Sequence, residues 1–223
     1  MVKIAIDGPA GSGKSTIAKL LARELGYLYI DSGALYRSLT WHCLEKKIDM
    51  NNDEEITRLG LSCPLKLLLS EKGELNIFVG ETCVNSLIRL DRVSRHVSLI
   101  ARLSPLRKKV VQLLREFDHP RGIVMDGRDI GTVVFPEAEY KFFLTAGAEE
   151  RAKRRVNELK ERGEQADFED ILKSIRDRDR IDSERADSPL KAAEDAISVD
   201  TTALGIDDVR EKLAGMVLNG HRG

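Results

Sequence analysis

Gly8-Pro9-Ala10-Gly11-Ser12-Gly13-Lys14-Ser15-Thr16 is the stretch on which the reading of this chain turns. Its first eight residues match G-x-x-x-x-G-K-[ST] in full. The flanks fit as well. Val2 to Ile6 is a short run rich in β-branched residues that stops at Asp7-Gly8-Pro9, as a strand buried on both faces would. Past the loop, Ile17, Leu20, Leu21 and Leu25 recur at helical spacing, and Gly26 is placed to end the helix. Strand, glycine-rich turn and helix in succession make an anion cradle. The glycines let backbone N–H groups turn inward around phosphate oxygens, and the helix N-terminus adds a partial positive charge. The pattern therefore assigns Gly8 through Thr16 to a nucleoside triphosphate such as ATP, with Lys14 reaching the β- and γ-phosphates and the Ser15 hydroxyl as a ligand of Mg²⁺. By itself it does not separate kinases from GTPases, motors and assembly ATPases.

Working outward, Tyr27 to Ile30 reads as a second strand, and Asp31-Ser32 offers an N-cap for a helix through about Glu45. The same rhythm returns at Gly122–Asp126, Tyr140–Leu144 and Ala196–Asp200, short apolar runs separated by long amphipathic stretches. Five strands alternating with helices predict an α/β fold built on a five-stranded parallel sheet flanked by helices. Between about 64 and 84 the pattern changes. Leu65–Leu69, Leu75–Val79 and Thr82–Val84 lie close together, joined by Lys72-Gly73 and Gly80-Glu81, which predicts a small antiparallel β insert. Asn219 to Gly223 reads as a fraying tail.

Composition narrows the partners. Thirty-six Lys and Arg stand against 37 Asp and Glu, a formal charge of −1, so no global field draws the 223-residue chain onto nucleic acid or an anionic membrane. Aromatic residues at 5% leave little for base-stacking platforms. No segment reaches the roughly 18 apolar residues of a membrane span, and the expected location is the cytoplasm. Cys43, Cys63 and Cys83 form no CxxC pair and His42, His96, His119 and His221 have no ligand spacing, which suits reduced, mostly buried thiols.

A second set of phosphate ligands is expected at the carboxyl ends of the strands, where open α/β sheets bind ligands. Asp31-Ser32-Gly33-Ala34-Leu35-Tyr36-Arg37 follows the second strand, and Asp126-Gly127-Arg128-Asp129 follows the run from Gly122. Each carries an arginine whose planar fork suits phosphate oxygens. Ile171, Ile175, Arg178, Asp182 and Arg185 follow at steps of four, three, four and three, so one helical face passes from apolar to charged. Charges line such a stripe when they are paired or meet a ligand; the bland alternative is a helix that runs out into solvent after Ile175. Glu149-Glu150-Arg151-Ala152-Lys153-Arg154-Arg155 opens a further helix whose arginines could close over the γ-phosphate; Arg151, Arg154 and Arg155 are not distinguished at this stage.

Taken in order, Gly8–Thr16, Asp31–Arg37, Asp126-Gly-Arg-Asp-Ile-Gly-Thr132, Val133-Val-Phe-Pro136, and Arg178-Asp-Arg-Ile-Asp182-Ser-Glu-Arg185 with Ser188-Pro189-Leu190 resemble the bacterial cytidylate kinases over residues 2 to about 218. The resemblance implies the P-loop fold of the nucleoside monophosphate kinases, usually monomeric, with ATP and CMP or dCMP as partners, Mg²⁺ as cofactor and neither nucleic acid nor membrane bound. It implies a core over 1–58, 118–147 and 186–223, an acceptor-binding region with the β insert over about 59–117, a lid over about 148–165, and a helix over 168–185 completing the acceptor site. Carried over by position, Ser32, Arg37 and Arg128 hold the monophosphate, Ser98, Arg107 and Asp129 face the cytosine, and Arg178, Asp182 and Arg185 hold the sugar and its phosphate. Lys14, Arg128, Arg151 and Arg155 are the expected catalytic set.

Three other readings stay in view. A different small-molecule P-loop kinase, such as one for shikimate, shares the Lys14 loop but has no need of Asp129 together with Arg178, Asp182 and Arg185. A GTPase switch would normally carry an N-K-x-D motif, which this chain lacks. A non-catalytic module binding RNA would want a basic, aromatic surface.

Overall fold

A computed structural model of the chain describes residues 1–70, 73–117, 119–161 and 163–220. Its first half runs β1 (Lys3–Asp7), α1 (Lys14–Leu25), β2 (Leu28–Asp31), α2 (Ser32–Glu45), α3 (Asp53–Ser62), β3 (Leu65–Leu69), β4 (Leu75–Val79), β5 (Thr82–Cys83), α4 (Asp91–Ala101) and α5 (Ser104–Arg115). Then follow β6 (Ile123–Gly127), β7 (Tyr140–Thr145), α6 (Ala148–Glu161), α7 (Phe168–Glu184), β8 (Ile197–Asp200) and α8 (Ile206–Leu218). Among these, no helix is long and apolar enough to cross a membrane.

Five strands form one parallel sheet in the order β2-β6-β1-β7-β8. β1 therefore lies at the centre, and the chain winds first to one side of it and then to the other. The loop after β1 opens at this switch point, where an α/β sheet leaves a crevice. Ile4, Ala5 and Ile6 are wholly buried because helices cover both faces. On one face α1 and α8 pack through Ile17, Leu21, Val209 and Leu213; on the other lie α2, α5 and the β insert. The buried stripe of α1 is turned from the one the leucines suggest: Ala18 and Ala22 are buried, while Leu20 and Leu25 are half-buried. Small residues at the contact let the helix approach the sheet closely.

The expected insert is a three-stranded antiparallel sheet, β3-β4-β5, with Leu65 opposite Val79 and Phe78 opposite Cys83. Of its two expected turns, Gly80 has φ 60°, while Lys72 of the first lies outside the described residues. So do Asp118, at the expected start of a core segment, Arg162 within the expected lid, and positions 221–223 of the tail. Asp31 caps α2 by accepting the Ala34 N–H at 3.1 Å, as expected. Cys43 and Cys63 are buried free thiols whose pKa burial pushes up to about 11, whereas Cys83 is exposed.

Strand boundaries differ from the apolar runs by about one residue. β1, β2 and β6 continue through Asp7, Asp31 and Gly127, because parallel pairing sets Asp7 beside Gly127 and Asp31 beside Asp126. Hydrogen bonding carries the strands past the last apolar residue and brings three carboxylates to one edge of the sheet.

Candidate active site

The crevice is built from the loop after β1, the ends of β2 and β6, and the helices α6 and α7. Gly8 has φ 151°, and a Cβ there would lie 2.1 Å from the Leu144 carbonyl oxygen, so glycine is required where the loop crosses β7. Gly11 has φ 78°, and a Cβ there would press on the Arg151 side chain at 3.1 Å. Lys14 opens α1; its Nζ is drawn back over the loop to donate to the Pro9 carbonyl at 3.1 Å. Burial pulls the Lys14 pKa down to about 7, and Arg128 and Arg178 push the same way against Asp126 and Asp31.

Ser15 Oγ donates to Asp126 Oδ2 at 2.6 Å, and the Tyr29 hydroxyl donates to Asp126 Oδ1 at 2.8 Å. Asp126 is 2% exposed, and its desolvation raises its pKa. Ser32 Oγ donates to the Asp126 carbonyl at 2.8 Å, so both expected binding loops meet at this aspartate. Arg37 pairs with Asp31, Nη2 to Oδ2, at 2.5 Å.

Arg128 Nε donates to Asp182 Oδ2 at 2.8 Å, which ties the β6 loop to α7. Arg107 and Asp129 form a buried ion pair, 2% and 3% exposed, and the Arg107 guanidinium stands 5.3 Å over the Tyr36 ring. Arg185, just past the end of α7, reaches Asp129 at 3.9 Å and Asp182 at 3.8 Å. Asp182 and Arg185 are buried, so α7 does not simply run out into solvent after Ile175. Ser98 is half-buried on α4, which touches α7. The residues expected for an acceptor thus come from α2, α4, α5, the turn after β6 and the C-terminal end of α7.

Their charges do not balance. Burial, with Arg128 pushing the same way and Asp182 opposing, lowers the Arg178 pKa to about 10. Its Nε and the Nη2 of Arg185 are buried without a hydrogen-bond partner among the described residues. Orphan donors on buried guanidinium groups are costly, and an anion in the crevice would satisfy them. Asp182 answers the same field: burial alone would raise its pKa, but Arg128 and Arg178 hold it below the ordinary carboxylate value.

The three arginines of α6 part company. Arg151 is 5% exposed and donates to the carbonyls of Ala146 at 2.8 Å and Ala10 at 3.1 Å and to both oxygens of Asp179. Arg154 holds Thr201 by its hydroxyl at 3.1 Å and its carbonyl at 2.6 Å, and the Thr201 hydroxyl in turn donates to Ser12 O at 3.2 Å. Arg155 is not brought to the loop; its Nη1 donates to Glu158, three residues on, at 2.8 Å. Asp126, Tyr29, Asp179 and Thr201 were not assigned roles from the sequence. Of these only Asp126 left a signal, a charge closing an otherwise apolar strand.

With this geometry in hand, comparison with known proteins is decisive. The family model for cytidylate kinase matches residues 4–219. The chain belongs to the cytidylate kinase family. A cytidylate kinase of Bacillus licheniformis is 46% identical over 214 residues, 96% of this chain and 95% of that protein. One from Geobacillus sp. is 47% identical over 216 residues, 97% and 96% of the two chains. Among solved structures, an uncharacterized protein from Eubacterium ventriosum superposes with a TM-score of 0.52 at 12% identity, covering 97% of this chain and 98% of that one. That likeness speaks to the fold; the family rests on the sequence relatives.

Proposed function

We propose that this chain transfers the γ-phosphoryl group of ATP to CMP and dCMP, giving ADP with CDP or dCDP. Family membership supports the reaction, and one observation carries its placement: arginines outnumber carboxylates among the acceptor residues, and buried guanidinium nitrogens of Arg178 and Arg185 lack partners among the described residues, beside a complete phosphate loop. An oxygen of the CMP phosphate, ionised at neutral pH, attacks the γ-phosphorus. The bond from that phosphorus to the β,γ-bridging oxygen breaks, and ADP carries away the electron pair. No general base is required. The protein has to hold two anions in line, which costs repulsion that cationic side chains offset.

On this reading Gly8 to Thr16 wrap the ATP phosphates and Lys14 leaves Pro9 for their oxygens. Ser32, Arg37 and Arg128 take the acceptor phosphate. Arg178, Asp182 and Arg185 take the sugar and its phosphate, and Ser98, Arg107 and Asp129 read the base. A carboxylate such as Asp129 accepts from the exocyclic amine of cytosine and repels the carbonyl that uracil presents there. Arg151, already on the loop, is the α6 arginine best placed to reach the γ-phosphate. Residues 1–58, 118–147 and 186–223 serve as core, 59–117 as the acceptor region and 148–165 as lid, with 168–185 completing the site. One chain supplies every group named, so a monomer suffices.

The Ser15 hydroxyl and the Asp126 carboxylate, both oxygen donors and 2.6 Å apart, fit Mg²⁺. When bound there, Mg²⁺ neutralises charge on the β- and γ-phosphates. A coupled ADP-release assay across the common nucleoside monophosphates tests the proposal. Stimulation by CMP and dCMP well above the others is expected; ATP use that CMP does not accelerate would overturn it.

A further inference from the structure

Asp7 stands between the two binding loops and has been given no part in either. It is the last residue of β1, bonded directly to Gly8 of the phosphate loop, and is 5% exposed. Its Oδ1 accepts the N–H of Ile130 at 2.8 Å and its Oδ2 the N–H of Gly131 at 2.8 Å. Those amides open a π-helical turn, Ile130–Val134, that begins directly after Arg128 and Asp129. The first N–H groups of any helical turn lack acceptors within it. Here a carboxylate from another strand supplies both.

That arrangement is costly. Among the described residues Asp7 forms no ion pair, and burial drives its pKa up to about 7 against the two amide bonds, with Asp129 adding to the rise and Lys14 opposing it. An apolar residue could end a buried strand without this penalty. What the carboxylate adds is geometric: two parallel bonds to consecutive amides fix the β6 loop in both position and orientation relative to the loop that starts one residue on.

We propose that Asp7 is a positioning residue that locks the loop carrying Arg128 and Asp129 to the phosphate loop, so that donor and acceptor are held in one frame. The inference rests on the reading that Arg128 and Asp129 hold CMP. The lock runs through the Ile130 and Gly131 amides and requires no contact between Asp7 and either nucleotide. Because in-line transfer is sensitive to displacements near 1 Å, a slackened loop would reduce turnover and blur the reading of the base while leaving the phosphate loop able to bind ATP.

Asp7→Asn tests this, since the amide keeps the shape but sets an N–H₂ against one of the two backbone donors. Expected are a CMP KM raised roughly tenfold and a kcat lowered roughly tenfold. The CMP-over-UMP ratio of kcat/KM should contract by a similar factor, with binding of a fluorescent ATP analogue unchanged within about twofold. Asp7→Glu, which keeps both oxygens but displaces them by a methylene, is measured in parallel and should show the same selective pattern; it decides the matter if the Asn variant does not fold. An unchanged CMP KM and CMP-over-UMP ratio would overturn the inference. So would a parallel loss of ATP binding and all kinetic parameters that tracks a fall in folded fraction. Wild-type enzyme assayed with CMP and UMP separates the two levels: no preference there defeats the base-reading assignment itself, whereas a wild-type preference retained by both variants defeats only the role of Asp7.

Discussion

Arg151 on α6 and Asp179 on α7 face each other as a bidentate pair, Nη1 to Oδ1 at 3.0 Å and Nη2 to Oδ2 at 2.7 Å. The same guanidinium also donates to the Ala10 carbonyl. One side chain therefore joins the expected lid, the acceptor helix and the phosphate loop, and Arg178 beside Asp179 belongs to the cationic crevice. Asp179→Ala should leave Arg151 nearly buried and unpaired. Because Asp179 is itself 27% exposed, the cost falls below that of a fully buried pair, at about 2 kcal/mol. Urea unfolding measures it, and a change under about 0.5 kcal/mol would show that the pair does not brace the lid.

Lys14→Ala removes the one lysine on the phosphate loop. Turnover should fall by a factor on the order of 10² to 10³, the range for loss of a group that stabilises developing charge. CMP binding, followed by calorimetry, should stay nearly intact. A variant with near-normal kcat would contradict the assigned role.

Discrimination of the base should depend on Asp129. With equal CMP and UMP in competition, CMP should be consumed at least about tenfold faster, as befits one well-placed polar contact. Asp129→Asn should lose that preference. It should also destabilise the fold by about 3 kcal/mol, because Arg107 is left buried without its partner charge. Equal use of the two nucleotides by the wild-type enzyme would refute the assignment.

Proton linkage gives an independent view of Lys14. Its pKa is about 7 in the free protein, and a phosphate oxygen on Nζ favours the charged form and raises it. ATP binding at pH 8 should therefore take up to one proton, and binding at pH 6, where Lys14 is already charged, much less. Calorimetry in buffers of different ionisation enthalpy reads the uptake, which should vanish in Lys14→Met. The sign for stability follows. Between about pH 7 and 10.5 the unfolded chain holds the lysine proton and the folded chain does not, so this group makes the free protein more stable as pH rises through that window.

Much of this molecule was legible without coordinates because its signals are local. Glycines at fixed offsets before Lys14, apolar runs closed by aspartates, and the spacing of Ile171 through Arg185 each depend on residues near one another in the chain. They suffice for the parallel sheet, the phosphate loop and the arginines around it. The α6 arginines were not separable that way. Arg151, Arg154 and Arg155 all lie within two turns of one charged helix, and what distinguishes them is the Ala10 carbonyl, Thr201 and Glu158, two of which are more than 40 residues distant.

Local order of residue types determined that this chain makes a β-loop-α phosphate cradle with a second cationic site beside it, since torsional preference and periodicity act over a few residues. Only tertiary structure decided that Asp7 reaches Ile130 and Gly131, that Tyr29 and Ser15 share Asp126, and that Asp129 is neutralised by Arg107. The reason is physical. A buried charge survives only where partners are delivered to it, and parallel strands pair residues far apart in sequence, so the identity of each partner is settled by sheet order and register.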